Sequence, residues 1–203
     1  MKNKTYIVIA VTILTALAAS QARSANDPEI DREYKVKSGF IYNFIKYIDW
    51  PEKKLNIEKD DDPIVIGVIG VNPFDGALEP ITKKKIKNKK ITIRYFSGFK
   101  QAKKKYSDKH IEQLRNCHVL FVSSSEKKIV ENITKLASGS NVLTISDIDG
   151  FIKKGGIINF VTKNKKVRFS INLDAAKRSE LVIPTTILKI AEKVIHKQKK
   201  EKG

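Results

Sequence analysis

The most strongly patterned part of the chain is an aromatic stretch from Tyr34 to Pro51. Apolar side chains recur along it every three to four positions, the spacing of an amphipathic helix with one broad apolar face. That face comprises Val36, Phe40, Ile41, Phe44, Ile45 and Ile48. Pro51 cannot continue a helix and disfavours helical geometry at Trp50, so we expect the helix to end there. The aromatic face either belongs wholly to the core or leaves part of its surface to a binding partner.

Short apolar runs follow this helix and alternate with polar or amphipathic segments. The apolar runs predict strands at 64–69, 91–96, 117–122, 142–145, 157–161 and 167–171. The last two strands flank a Lys-Asn-Lys turn and predict an antiparallel hairpin. The other segments predict short helices at 74–81, 110–114, 123–136 and 172–179, and a last helix from Pro184 whose apolar stripe extends to Ile195. This alternation indicates an α/β fold of the Rossmann-like or flavodoxin-like kind: a mostly parallel sheet flanked by helices in three layers, with a C-terminal antiparallel hairpin.

The first 22 residues have the organisation of a secretory signal peptide. Lys2 and Lys4 precede an apolar run over residues 6–19, and small residues follow, with Ala22 at the expected cleavage position. The apolar run is shorter than the ~20 residues that a membrane-spanning helix needs, which favours cleavage over an uncleaved anchor. We therefore expect a signal peptide at residues 1–22 and one exported domain at residues 23–203 that ends in a basic tail.

The charge of the chain is strongly positive. Its 203 residues include 40 basic and 22 acidic side chains, a formal net charge of +18, and all but six of the basic residues are lysine. Nucleic-acid sites commonly depend on arginine for bidentate contacts, so this composition, together with export, argues against a nucleic-acid partner. The lysines form either a solvated surface or a surface attracted to an anionic membrane or an acidic partner. The densest runs are 83–85, 89–90, 103–105 and 197–202.

The sequence contains no recognisable catalytic or metal-binding motif. The three histidines are far apart and have no metal-ligand spacing with cysteine or carboxylates, so we expect no metal and no cofactor. A nucleophile elbow and a Cys-His signature are also missing, and we expect a protein that is not an enzyme. Cys117 is the only cysteine, which excludes an intrachain disulfide, and its apolar neighbours predict a buried thiol.

Polar residues follow three of the predicted parallel strands, at the sheet edge where doubly wound folds bind small ligands. The loops concerned are 70–74, 123–126 and 146–150. The candidate ligand- or partner-binding residues in them are Asn72, Phe74, Ser123, Ser124, Asp147 and Asp149. Asn72 followed by Pro73 predicts a helix N-terminus, which can hold an anion.

Most of these positions also have a purely structural interpretation. Ser123 and Ser124 belong to a capping-box pattern at the start of a predicted helix. Asp147 and Asp149 either form a turn beside Gly150 or serve as paired carboxylates. An enzyme that uses Ser124 and the two aspartates is the third and least favoured hypothesis.

Three blocks of the sequence resemble the YfiR family of bacterial periplasmic proteins. They are VKSGFIYNFIKYIDWP (36–51), VLTISDIDGFIKKGGIINFV (142–161) and VRFSINLDAAKRSELVIPTTILKIAEKV (167–194). Weaker agreement extends through IVIGVIGVNPF and CHVLFVSSSE. The resemblance therefore covers nearly all of the expected mature chain, in order.

The resemblance implies a periplasmic, non-enzymatic α/β domain. The best understood member of the family represses a membrane-bound diguanylate cyclase by contacting its periplasmic region, and it tends to dimerise. We therefore expect a regulatory or adaptor protein that binds a membrane protein with a periplasmic sensor region, such as a diguanylate cyclase, and a homodimer is a further expectation. The alternative is a periplasmic small-ligand-binding sensor domain. The activity of that member depends on the redox state of its disulfides. Here Cys117 has no partner cysteine, so redox control is not expected.

Overall fold

The structure is a computed structural model that describes residues 28–55, 62–98 and 106–196. The strands are β1 (Ile64–Ile69), β2 (Lys85–Ile86), β3 (Lys89–Phe96), β4 (Val119–Val122), β5 (Leu143–Ser146), β6 (Ile158–Lys163), β7 (Lys166–Asn172) and β8 (Lys193–Ile195). The α-helices are α1 (Pro28–Tyr47), α2 (Glu79–Thr82), α3 (Asp108–Arg115), α4 (Val130–Ala137), α5 (Leu173–Arg178) and α6 (Thr185–Ile190), with 3-10 helices at Ser124–Ile129 and Phe151–Lys154. The predicted signal peptide and the basic tail from residue 197 lie outside the described residues.

The strands form one sheet in the order β2-β3-β1-β4-β5-β6-β7-β8. The five strands from β3 to β6 are parallel to one another, and β6 and β7 form an antiparallel hairpin. This confirms the predicted α/β fold with a C-terminal hairpin. The order β3-β1-β4-β5 is that of a flavodoxin-like sheet, in which the strand order reverses beside β1 and opens a crevice toward β4.

Helices cover both faces of the sheet. On one face, Phe44 of α1 stacks on Phe160 of β6 and contacts Phe169 of β7 edge-on. α5 and α6 join the same core. On the other face, α3, α4 and the second 3-10 helix cover the sheet. Cys117 is buried in that second core, as predicted, and burial raises the pKa of its thiol to about 11. No helix in the described ranges is both long and apolar enough to cross a bilayer.

The first helix differs from the prediction at both ends. It begins at Pro28, with Glu29 and Asp31 in its first turn, where carboxylates interact favourably with the helix dipole. It ends at Tyr47, because Asp49 forms an isolated bridge with Val182 through two backbone hydrogen bonds of 3.1 Å. The predicted helix end at Trp50 is therefore wrong by one turn.

The buried face of α1 is also rotated from the predicted one. Val36, assigned to the apolar face, is 42% exposed, whereas Lys37 is only 1% exposed. Lys37 lies four residues before Ile41 and eight before Ile45, so it continues the buried stripe at helical spacing. The sequence pattern misses this because a lysine is not counted as an apolar position.

The lysine-rich segment after α2 forms a hairpin that the sequence does not predict. β2 and β3 are antiparallel and joined by the two-residue turn Lys87-Asn88, with φ of 50° and 64°. Two residues with positive φ are the signature of a type I′ hairpin turn. The pattern hides this hairpin because β2 has only two residues and its turn contains no glycine.

The predicted last helix from Pro184 to Ile195 is wrong beyond Ile190. Its first part forms α6, and the chain then becomes extended at Ala191. The amide of Glu192 donates to the carbonyl of Phe169 over 2.8 Å, and β8 pairs in parallel with β7. The open edge of β7 thus offers backbone partners to a segment whose β-branched residues also suit a strand.

Candidate functional site

The loops that follow β1, β4 and β5 lie at the carboxyl edge of the parallel strands, where the sequence predicts them. The first two loops touch, since the backbone amide of Val71 donates to the hydroxyl of Ser125 over 3.0 Å. The third loop is fastened to the N-terminal half of α1 through Asp147. α1 therefore forms one wall of the region in which the candidate residues lie.

The loops after β1 and β4 contact each other closely at the sheet edge where a flavodoxin-like fold binds its ligand. Gly70 has φ of +97°, and a Cβ on it would lie only 2.3 Å from the hydroxyl oxygen of Ser125. That hydroxyl in turn donates to the carboxylate of Glu126, which is buried. The tight contact between the loops after β1 and β4 leaves no open space beside Gly70.

Asn72 and Phe74 occupy a turn in place of the predicted helix N-terminus. The side-chain oxygen of Asn72 accepts a hydrogen bond from the amide of Phe74 over 3.0 Å, as in an Asx turn. Regular helix begins only at Glu79, so the predicted helix from residue 74 and its anion-binding N-terminus are wrong. The ring of Phe74 is buried between Tyr34 and Phe121, with edge-on contacts at 5.2 and 4.8 Å.

Ser123 is a buried capping residue. Its hydroxyl accepts a hydrogen bond from the amide of Ser125 and so caps a 3-10 helix, which becomes α-helical at Val130. The predicted continuous α-helix over residues 123–136 is therefore wrong in its first part. Ser124 is exposed.

Asp147 is the centre of a polar cluster that connects α1 to the loop after β5. Its carboxylate accepts hydrogen bonds from the hydroxyl of Tyr34 over 2.7 Å and from the ammonium of Lys37 over 2.6 Å. Lys37 also pairs with Glu33 at 2.5 Å, and its ammonium lies 4.1 Å from the centre of the Tyr34 ring. The buried charge of Lys37 is thus balanced by two carboxylates and an aromatic face.

The phenol of Tyr34 is held in its protonated form. Burial, and next the hydrogen bond to Asp147, raise the pKa of Tyr34 far above its ordinary value. The hydroxyl therefore remains a donor to the carboxylate over the whole physiological pH range. The cluster of Glu33, Tyr34, Lys37 and Asp147 therefore holds α1 against the sheet edge, and we call it the clasp.

An open depression of about 350 Å³ lies against this clasp. It brings together three of the predicted residues, Ser124, Asp147 and Asp149. Its remaining lining residues are Glu33, Tyr34, Lys37, Phe160, Val161 and Thr162. Asp149 is exposed at its rim, so the depression offers one free carboxylate beside hydroxyl groups. Asn72, Phe74 and Ser123 do not line this depression.

Sequence reasoning missed Glu33, Tyr34 and Lys37 as members of this region. The available signal was a lysine on the apolar stripe of an amphipathic helix, preceded by a glutamate four residues earlier. A buried lysine requires carboxylate partners, and Glu33 is a local one, but the second partner is 110 residues away in sequence. The sequence pattern could therefore identify Lys37 as unusual, but it could not predict that Asp147 is its partner.

A larger groove, of about 630 Å³, lies between α1 and the β6–β7 hairpin. Val36, Phe40 and Val167 supply its apolar lining. Arg32, Lys166 and Arg168 also line it, and none of these three cations has a carboxylate partner within the described residues. The two glutamates of the groove are paired, Glu29 with Lys165 and Glu33 with Lys37.

A family model described as YfiR/HmsC-like (DUF4154) matches residues 34–192. The chain belongs to the YfiR/HmsC-like family. The match begins at Tyr34 and ends at Glu192, so it includes the clasp around Asp147, the depression beside it and most of the groove lining. The expectation drawn from the three sequence blocks is thereby confirmed at the level of the family.

Solved structures give only distant similarity. A conserved domain protein from Vibrio cholerae aligns with 10% identity and a TM-score of 0.49, over 80% of this chain and 60% of that one. An ABC domain from Streptococcus pneumonia, solved in complex with L-Trp, aligns with 13% identity and a TM-score of 0.47, over 64% of this chain and 55% of that one. This YfiR/HmsC-like chain thus spans less than two thirds of either protein's length. No curated protein shows significant similarity to it.

Within the described ranges, no group of three or more His, Cys, Asp or Glu side chains is placed to hold a metal ion.

Proposed function

We propose that this protein is an exported regulatory or adaptor protein that binds a membrane signalling protein with a periplasmic sensor region and represses it, with a diguanylate cyclase as the specific target. The observation that carries the proposal is the YfiR/HmsC-like match over residues 34–192. The sequence of the first 22 residues supports export to the periplasm. A non-enzymatic mode of action and a homodimer belong to the same proposal.

The groove between α1 and the β6–β7 hairpin is the surface that we assign to the partner. Protein interfaces are anchored by apolar side chains at their centre and surrounded by polar groups. Val36 is exposed in this groove, where Phe40 and Val167 add further apolar surface. The three unpaired cations favour a partner segment that carries acidic residues beside an apolar anchor.

The close contact between the loops after β1 and β4 also supports a protein partner. A flavodoxin-like sheet binds small ligands at this edge. Here the hydroxyl of Ser125 fills the space beside Gly70. Regulation through an exposed groove does not need a ligand at this edge.

The proposal predicts a rise in cyclic-di-GMP when the gene is deleted. The reason is that removing a repressor releases the cyclase. Cyclic-di-GMP is quantified by mass spectrometry in wild-type, deleted and complemented cells, and light scattering of the purified protein measures the homodimer. An unchanged cyclic-di-GMP level in deleted cells, under conditions in which the wild-type protein is expressed, contradicts repression of a cyclase.

The second candidate function is a small-ligand sensor, and the depression at Asp147 favours it. The depression collects Ser124, Asp147 and Asp149 next to Glu33, a set of acidic and hydroxyl groups that suits a small cationic ligand. A ligand that binds only the native state raises the melting temperature. Thermal-shift screening with polyamines and basic amino acids tests this, with Asp149→Asn as the matched variant. A shift that survives in Asp149→Asn, or no shift with any compound, counts against the site.

A further inference from the structure

The β2–β3 hairpin concentrates positive charge at one edge of the sheet. β2 is the outermost strand on that side. Five exposed lysines lie on the hairpin and the residues leading into it: Lys83, Lys84, Lys85, Lys87 and Lys90. The surrounding segment 80–107 contains eleven basic residues and no acidic one. This segment therefore supplies no carboxylate of its own to neutralise its charge. The preceding residue, Glu79, lies near Tyr95 of β3.

The rest of the described structure does not neutralise these lysines either. Its ion pairs connect other lysines, of α1, of the turn after it and of the β6–β7 hairpin, to carboxylates elsewhere. The five hairpin lysines take part in none of those pairs. Lys84 lies over the ring of Tyr42 at 4.7 Å, a contact that leaves its charge in place.

Lysine occupies positions in the hairpin where it lowers local stability. Lys85 and Lys90 are directly opposite each other on neighbouring strands, an arrangement in which like charges repel. Lys87 has a φ of 50° at the first turn position, where asparagine, aspartate or glycine is usual. Side chains that break local preferences in this way are expected where a surface has a function.

We propose that the β2–β3 hairpin binds the anionic surface of a lipid bilayer. Clusters of four to eight basic residues are attracted to anionic headgroups without a shaped pocket. Lysine suits this role because it is a flexible point charge, whereas bidentate recognition relies on arginine. The segment 80–94 has no large exposed apolar side chain, and the large exposed side chain on the rest of β3 is that of Tyr95, which is 55% exposed. Several lysines beside one exposed tyrosine, a residue that suits the membrane–water interface, fit a headgroup surface better than an acidic protein.

This interaction is separate from binding of the signalling partner. The groove that we assign to the partner lies beside β6 and β7, whereas the hairpin is at the opposite end of the sheet order. Contact with lipid would hold the protein at the membrane surface and raise its local concentration beside a membrane-embedded partner. The two proposals therefore succeed or fail independently.

Vesicle co-sedimentation tests the proposal with the purified exported chain. Vesicles of phosphatidylcholine containing phosphatidylglycerol are compared with vesicles of phosphatidylcholine alone, at low and at high salt. The test variant carries Lys83→Gln, Lys85→Gln, Lys87→Gln and Lys90→Gln. The matched control carries Lys127→Gln, Lys128→Gln, Lys153→Gln and Lys177→Gln, four exposed lysines on other segments with the same loss of charge.

The wild type and the control are expected to bind anionic vesicles at low salt and to dissociate from them at high salt. Neither is expected to bind neutral vesicles. The hairpin variant is expected to bind at least about tenfold more weakly than the control. No binding of the wild type at low salt overturns the proposal and favours an acidic protein as the occupant. Equal weakening in both variants also overturns it, because net charge alone would then explain the attraction.

Lys85→Glu separates charge from folding in the same assay. It replaces one lysine of the repulsive pair with a carboxylate that attracts Lys90 across the two strands, so the melting temperature is expected to stay the same or rise. Vesicle binding is nevertheless expected to weaken. Unchanged binding by this folded variant contradicts the assignment of the hairpin as the lipid-binding surface.

Discussion

Lys37 is the residue that most clearly connects local sequence to tertiary structure. Its ammonium is almost fully buried between the carboxylates of Glu33 and Asp147. Lys37→Met should lower the free energy of unfolding by about 3 kcal/mol, because it leaves two partly buried carboxylates without their cation. Urea unfolding measures the loss. Lys35→Met is the control on the same helix: its exposed pair with Asp31 should contribute at most about 0.5 kcal/mol.

Adding Asp147→Asn to Lys37→Met should recover part of the lost stability, since the unpaired charge is then removed as well. A double-mutant cycle measures this coupling. Additive losses from the two single variants would contradict a direct interaction between Lys37 and Asp147.

His118 should make stability depend on pH. Its Nδ1 accepts a hydrogen bond from the amide of Val65, and its Nε2 contacts the carbonyl of Lys54 at 3.0 Å, so the ring is neutral with the proton on Nε2. Burial, followed by the charge of Lys54, lowers the pKa of His118 to about 4. The unfolded chain binds the proton more readily, so stability is fully present above about pH 6.5 and falls as pH decreases toward 4, by about 3 kcal/mol in total.

Urea unfolding between pH 7 and pH 4 tests the role of His118. The His118→Gln variant should lose less stability over this range than the wild type. His196→Gln, at an exposed position, should behave like the wild type. An equal pH dependence in the wild type and His118→Gln would show that another group is responsible.

At the residue scale, sequence could identify candidates but not their partners. Asp147 and Asp149 look alike in the segment SDIDGF. Asp147 has Tyr34 and Lys37 as partners, whereas Asp149 is exposed. The difference depends on where α1 lies, and no spacing within the loop encodes that.

Among the helices and strands, α1 packs against the sheet mainly through Phe44 and less through Trp50. Phe44 is 1% exposed and touches the rings of Phe40, Phe160 and Phe169, whereas Trp50 is only half-buried. Phe44→Ala should therefore cost about 3–5 kcal/mol of unfolding free energy, and Trp50→Ala about 1–2 kcal/mol. Chemical denaturation of both variants checks this order, and Tyr47→Ala, at a half-exposed side chain, should cost least. A larger loss for Trp50→Ala than for Phe44→Ala would contradict the packing of α1.

Elements with strong local patterns were predictable, and elements that depend on a neighbour were not. The run Ile64–Ile69 is a strand with the predicted bounds, because six consecutive apolar residues suit a strand covered on both faces. β2 and β8 have only two and three residues, and they exist because β3 and β7 offer open edges. Short edge strands carry too little pattern of their own to be found in a sequence.

For the whole molecule, the sequence predicted the layered sheet and the edge at which the candidate loops lie, but not the groove on its surface. The alternation of strands and helices is sufficient for a flavodoxin-like sheet, and that sheet places the loops after β1, β4 and β5 at one edge. It does not reveal that the hydroxyl of Ser125 lies directly beside Gly70. The sequence pattern does not reveal the groove either. It assigns Val36 to the buried face of α1, whereas in the structure Lys37 is buried and Val36 faces solvent.

We propose that the groove of this YfiR/HmsC-like protein binds a membrane signalling protein. The most direct measurement is a pull-down from detergent-solubilised membranes with the wild type, Val36→Glu and the control Asn43→Glu, which adds the same charge at an exposed position of α1. Mass spectrometry identifies what is retained. The wild type and Asn43→Glu should retain the same membrane protein with a periplasmic region and a cytoplasmic signalling domain, and Val36→Glu should lose it. Reproducible failure of the wild type to retain any such protein, or equal retention by Val36→Glu, would contradict the claim.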